Sequence, residues 1–150
     1  MAKPADISLQ DSTQEHQLHI LLVEDNPVQQ MFVAQLLKRL GHQISVANDG
    51  FEVLSTVHRD RCYDVILMDC QMPLMDGLQA TRFIRKMERT ICQRIPIIGM
   101  SAAASPDQCF EAGMDDFLSK PLNKPLVQAV LGRWIREKKG RGHMCRRSVE

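Results

Sequence analysis

Residues 64–77 read DVILMDCQMPLMDG: an unbroken apolar run that stops at a carboxylate, Asp69, then a loop punctuated by Pro73 and Gly77. An apolar run without alternation is the pattern of a strand buried on both faces, so Asp64–Met68 is expected to lie inside a sheet covered on either side. Working outward, the same signature recurs at His19–Val23 (HILLV) and Pro96–Met100 (PIIGM), with shorter candidates at Ile44–Ala47 and Asp116–Ser119. Helical spacing fills the intervals. Phe32, Val33, Leu36, Leu37 and Leu40 form one stripe, with Asn26 placed to cap it, Pro27 to open it and Gly41 to end it. Val53, Leu54 and Val57 follow an Asn48-Asp49-Gly50 turn, a third helix spans about Leu78 to Glu88, and a short one follows Pro106. Val127, Val130, Leu131, Trp134 and Ile135 make the last stripe, on which Trp134 reads as packing. Five strands alternating with five helices imply an α/β fold, a five-stranded doubly wound parallel sheet with helices on both faces and right-handed crossovers.

The composition suits a soluble globular chain: 150 residues, 44% hydrophobic and 25% charged, enough for a single core without staples. No stretch nears the length of a membrane span, and residues 1–17 lack the apolar segment of a secretory signal, so a cytoplasmic location is expected. The five cysteines are odd in number and lack a C-x-x-C pair, which points to reduced thiols. Lys138, Lys139, Arg141, Arg146 and Arg147 concentrate basic charge in a short tail, read as solvated rather than as a nucleic-acid contact.

In a sheet of this kind ligands bind beyond the carboxyl ends of the strands. Those positions hold Glu24 and Asp25, Asp69, Ser101 and Lys120. They converge if the first, third, fourth and fifth strands lie side by side. Three carboxylates crowded together raise one another's pKa and call for a cation, and hard oxygen ligands in an open site favour magnesium over calcium. A magnesium ion shares its remaining positions with phosphate oxygens, and an ammonium and a hydroxyl beside it complete a cradle for a phosphoryl group. Aspartate itself can serve as the nucleophile.

The segments LLVEDNP, DVILMDCQMPLMDG, IPIIGMSA and GMDDFLSKP resemble the receiver domain of two-component response regulators, from about Leu18 to Glu137, with wording most similar to the receivers of hybrid histidine kinases. The resemblance implies a flavodoxin-like sheet of strand order 2-1-3-4-5 and phosphorylation at Asp69. It implies Mg2+ held by Asp25, Asp69 and the backbone carbonyl of Gln71, with Glu24 acting through water. Lys120 would pair with the phosphoryl oxygens rather than hold the fold, and Ser101 would hydrogen-bond the phosphoryl group. Phe117 would be the aromatic switch, and Lys120-Pro121 a cis peptide. The implied partner is a histidine kinase or a histidine phosphotransfer protein, and the implied activity is self-phosphorylation and slow dephosphorylation rather than that of a dedicated enzyme.

Two departures stand out. Ser101 replaces a more frequent threonine, and the stretch from Ser101 to Gly113 is shorter than the family pattern by close to one helical turn. The second predicts a reshaped output face and a monomer. The expected organisation is a polar leader at 1–17, a receiver domain at 18–137 and a basic tail at 138–150, both ends read as disordered. Rival readings are a receiver module cut from a hybrid histidine kinase and a flavodoxin-like cofactor-binding enzyme. The latter is disfavoured because Glu24-Asp25 would repel a cofactor phosphate in the absence of a metal.

Overall fold

The computed structural model describes residues 17–91 and 93–141; the expected disorder of residues 1–16 and 142–150 lies outside the described residues. Strands β1 (His19–Val23), β2 (Gln43–Ala47), β3 (Val65–Asp69), β4 (Ile97–Ser101) and β5 (Asp116–Ser119) form one parallel sheet in the order β2-β1-β3-β4-β5. The helices between and after them are α1 (Pro27–Arg39), α2 (Gly50–Arg59), α3 (Gly77–Glu88), α4 (Pro106–Ala112) and α5 (Lys124–Arg141). The expected fold class and strand order are the ones observed. β3 and β4 each begin and end one residue later than their apolar runs suggest, so Asp69 and Ser101 close their strands instead of opening the loops.

Alternation along the strands divides the core in two. Leu21, Val23, Ile66, Met68 and Ile97 face one way, against Val53 and Val57 of α2, Ala80 and Ile84 of α3 and Cys109 of α4. Ile20, Leu22, Val65, Leu67, Ile98, Met100 and Leu118 face the other way, against Val33 and Leu37 of α1 and Val127, Val130 and Leu131 of α5. Every residue of β3 and β4 is buried, the condition that an unbroken apolar run signals. Trp134 packs at the margin of the second cluster and donates its Nε1–H to Asp116 Oδ2 at 3.3 Å.

The short segment after β4 is stabilised at both ends. Ser105 and Gln108 form a reciprocal capping box at the start of α4, and Gly113 takes the left-handed conformation, φ 109°, at its end. Arg85 of α3 donates from Nε to the Gly113 carbonyl at 2.8 Å and from Nη2 to Asp115 at 2.7 Å, and it also binds Glu88. One guanidinium fork thus ties α3 to the carbonyl end of α4 and to the approach to β5.

Two expectations are corrected. The last helix runs to Arg141, past the boundary drawn at Glu137, because the chain from Arg136 to Arg141 contains no proline and continues the helical turns already begun on the sheet. Cys62 is disulfide-bonded, not a reduced thiol, while Cys70 and Cys109 are free. Its partner is not among the described residues. An odd cysteine count without a C-x-x-C pair does not exclude a disulfide between cysteines far apart in the chain.

Candidate functional site

The carboxyl end of β1 delivers Glu24 and Asp25, and the turn that follows holds them in place. Asn26 caps α1, its Oδ1 accepting from the N–H groups of Val28 and Gln29 at 2.9 and 3.1 Å, and its own N–H donates to Glu24 Oε1 at 3.2 Å. Gln30 donates from Nε2 to the Glu24 carbonyl at 2.9 Å and to Asn48 Oδ1 at 3.0 Å, joining the β1 end to the loop after β2. Next in the sheet, β3 delivers Asp69, whose Oδ1 accepts from the Gln71 N–H at 3.1 Å.

Glu24, Asp25 and Asp69 each offer a carboxylate oxygen within 4.8 Å of the others. Glu24 and Asp69 are almost wholly buried, and Asp25 is the most open of the three. Lys120 enters from the end of β5, its N–H donating to the Ser101 carbonyl at 2.9 Å and its peptide to Pro121 being cis, as expected. Its Nζ lies 3.1 Å from Glu24 Oε2, 3.3 Å from Asp69 Oδ2 and 2.9 Å from Gln29 Oε1.

The cluster holds three acids, and the one ammonium pairs with two of them. Burial, and then the neighbouring Asp69 charge, lift the Glu24 carboxyl from 4.5 to about 7 despite the offsetting bond from Lys120. Burial works to lower the Lys120 pKa, but Asp69 and Glu24 outweigh it and the group is held above its ordinary value. The site is therefore short of positive charge. A hard-oxygen donor set of this kind suits a small divalent cation, which would relieve the repulsion that raises Glu24.

All of the sheet but His19, and the whole acidic cluster, fall within residues 20–131, which match the response regulator receiver domain model. The chain belongs to that family. This receiver is 36% identical over 156 residues to Probable histidine kinase 1 of Oryza sativa subsp. indica, an alignment that covers 83% of the chain and 16% of the rice protein. The chain thus spans a small part of the curated hybrid kinases that it matches. Among solved structures it superposes at TM-score 0.71 on the receiver domain of sensor histidine kinase PA1611 from Pseudomonas aeruginosa PAO1, which carries a magnesium ion in its active-site cleft. That pair is 42% identical over 80% of this chain and 98% of the other. The receiver of Ssk1, crystallised with the Saccharomyces cerevisiae histidine phosphotransfer protein Ypd1, shares the fold at TM-score 0.72 and 24% identity, over 79% of this chain and 88% of that one.

In this receiver the acids and Lys120 come together as the strand ends suggest, whereas the hydroxyl of Ser101 is engaged elsewhere. Its Oγ accepts from the N–H groups of Ala103 and Ala104 at 3.0 and 2.7 Å, which turns the chain into the loop before α4. Phe117 is half-buried and packs against the cluster that contains Cys109 and Met114. Cys70 directs its thiol away from the acids toward Cys109, Sγ to Sγ 3.5 Å. Burial, and then the proximity of Cys109, push the Cys70 thiol far above its ordinary pKa, and burial likewise raises Cys109, so both stay protonated and unreactive. Sequence reasoning missed Gln29, the third partner of Lys120. The available signal was its place in the first turn of the helix that follows Glu24-Asp25, where a polar side chain can reach back over the strand ends.

Proposed function

We propose that this receiver accepts a phosphoryl group on Asp69 from a phosphohistidine of a histidine kinase or histidine phosphotransfer protein, in a two-component or multistep phosphorelay. An Asp69 carboxylate oxygen bonds to phosphorus as the phosphorus–nitrogen bond breaks, and the imidazole nitrogen keeps the electron pair and takes up a proton. The observation that carries this reading is the meeting of Glu24, Asp25 and Asp69 within 4.8 Å, with the Lys120 ammonium 3.3 Å from Asp69. Magnesium would be held by Asp25, Asp69 and the Gln71 carbonyl, with Glu24 acting through water, and it would supply positive charge against the phosphoryl oxygens. Lys120 stabilises the same oxygens from the other side, in a site whose burial strengthens each such contact. Ser101 and Phe117 form the switch. Hydrolysis of the acyl phosphate completes a slow cycle that needs no separate catalytic domain.

Beyond receivers, a flavodoxin-like enzyme is not supported, because Glu24 and Asp25 occupy the place where a cofactor phosphate would need donors. A receiver module within a larger hybrid kinase is compatible with the same chemistry, since the curated relatives extend far beyond the matched region. Mass spectrometry after incubation with a small phosphodonor and Mg2+ tests the assignment: one phosphoryl adduct on the wild type and none on Asp69→Asn. An undiminished adduct on Asp69→Asn removes Asp69 from the role.

A further inference from the structure

The Lys120 ammonium meets three acceptors from three parts of the fold: Glu24 at the end of β1, Asp69 on β3 and Gln29 on α1. Two of the acceptors, Glu24 and Asp69, are the buried carboxylates that a cation or a phosphoryl group would also engage. The third, Gln29 Oε1, is the shortest contact at 2.9 Å and lies outside the acidic cluster. The backbone of Gln29 is fixed in turn, since its N–H is bound by the Asn26 cap and Pro27 sets the helix entry. The Gln29 and Lys120 side chains line one groove of about 320 Å³ together with Phe32, Ala102 and Leu122.

We infer that Gln29 is a positioning residue for phosphoryl recognition: it holds the Lys120 ammonium over Asp69 through a neutral hydrogen bond that does not compete with the incoming group. The inference rests on the phosphoacceptor reading above. A lysine side chain loses much rotamer freedom when fixed, and a neutral amide anchored on a helix can hold it without adding charge to the cluster. A carboxylate in that place would draw the ammonium away from the phosphoryl oxygens, whereas Gln29 binds it and leaves its pairing with Glu24 and Asp69 in place. A neutral anchor also persists when the charges of Glu24 and Asp69 are engaged elsewhere.

Three measurements on the full chain test this. The probes are Mg2+ alone, beryllofluoride with Mg2+, and 15N-lysine NMR of the Lys120 ammonium. Gln29→Leu should keep the wild-type Mg2+ affinity, because no proposed ligand is touched, and should bind beryllofluoride about three- to tenfold more weakly, the worth of one hydrogen bond net of water. Its Lys120 ammonium signal should broaden through faster proton exchange. Gln29→Glu keeps an acceptor and should restore the ammonium signal but not the full beryllofluoride affinity, because it adds a competing charge. Unchanged beryllofluoride affinity in Gln29→Leu, or an equal loss of Mg2+ and beryllofluoride binding, overturns the positioning role. If wild-type protein takes no beryllofluoride at Asp69, the phosphoacceptor reading fails, and the inference falls with it. Wild-type binding with no effect of Gln29→Leu sinks the inference alone.

Discussion

Gly77 opens α3 against the last residue of β3, and a methyl group there tests how rigidly the fold holds Asp69. A Cβ on Gly77 would stand 2.1 Å from the Asp69 carbonyl oxygen, 2.9 Å from its carbonyl carbon and 2.8 Å from Met68 Cγ. Ordinary carbon–oxygen contacts are roughly 3.3 Å or longer, so helix and strand must separate by about 1 Å. Neither obstacle at Asp69 is a side chain that can swing aside; both are backbone atoms of a strand paired on either side. Retreat of the helix also stretches the bond from the Gly77 N–H to the Cys70 carbonyl, now 3.1 Å. Overpacking costs about 1–3 kcal/mol and a lost hydrogen bond about 1, against a gain of under about 1 from helix propensity. Gly77→Ala should therefore destabilise the protein by about 1–4 kcal/mol, leaving it folded, and weaken Mg2+ binding by moving Asp69. Gly132→Ala is the control: beyond the adjoining turns of its own helix no described atom lies within 4 Å of a Cβ there, and it sits inside α5, so it should stabilise by about 0.5–1 kcal/mol. Urea unfolding followed by circular dichroism gives the stabilities, and calorimetric titration gives the metal affinity. A Gly77→Ala protein within about 0.5 kcal/mol of wild type, with unaltered Mg2+ binding, would refute this account of the α3–β3 contact.

Glu24 titrates higher in the folded chain than the ordinary 4.5, at about 7, so the folded state holds its proton longer and loses stability as pH rises across that window. Glu24→Gln removes that slope: without divalent ions its stability relative to wild type should improve by on the order of 2 kcal/mol between about pH 5 and about pH 8, and an equal difference at both pH values contradicts the burial argument. Lys120→Met should cost about 2–3 kcal/mol at neutral pH and less in acid, because two buried carboxylates lose their shared ammonium. This departs from the expectation that Lys120 has no part in holding the fold, and unfolding midpoints within error of wild type would reinstate that expectation. Sedimentation at matched concentration, with and without beryllofluoride, should show a monomer throughout, since α4 is only seven residues long and its output face is correspondingly reduced; activation-dependent dimerisation would overturn this.

Local rules carry a reader of the chain a long way. Apolar runs at His19–Val23 and Asp64–Met68 signal burial on two faces, Asn26 and Pro27 announce a helix, and acids at the ends of two strands announce a charged cleft, because each feature depends on near neighbours in the chain. General rules of connection give a parallel sheet, but the strand order, and with it the convergence of Glu24, Asp25, Asp69 and Lys120, came from the resemblance to receivers and is observed in the fold. Boundaries were less legible: apolarity stops at Met68 and Met100, but hydrogen-bonded pairing includes Asp69 and Ser101 in the sheet.

Other features exist only once the chain is folded. Gln29 meets Lys120 across 91 positions, and Arg85 reaches Gly113 and Asp115 across 28 and 30. Cys62 is bonded to a cysteine that no short motif identifies. Local sequence marks Gln29 only as a polar residue in the first turn of α1, and Gly77 only as a glycine that follows a turn. Their importance comes from which backbone or charge lies opposite. The packing of α1 and α3 against the strand ends sets that, fixing both the room beside Asp69 and the number of charges Lys120 must satisfy.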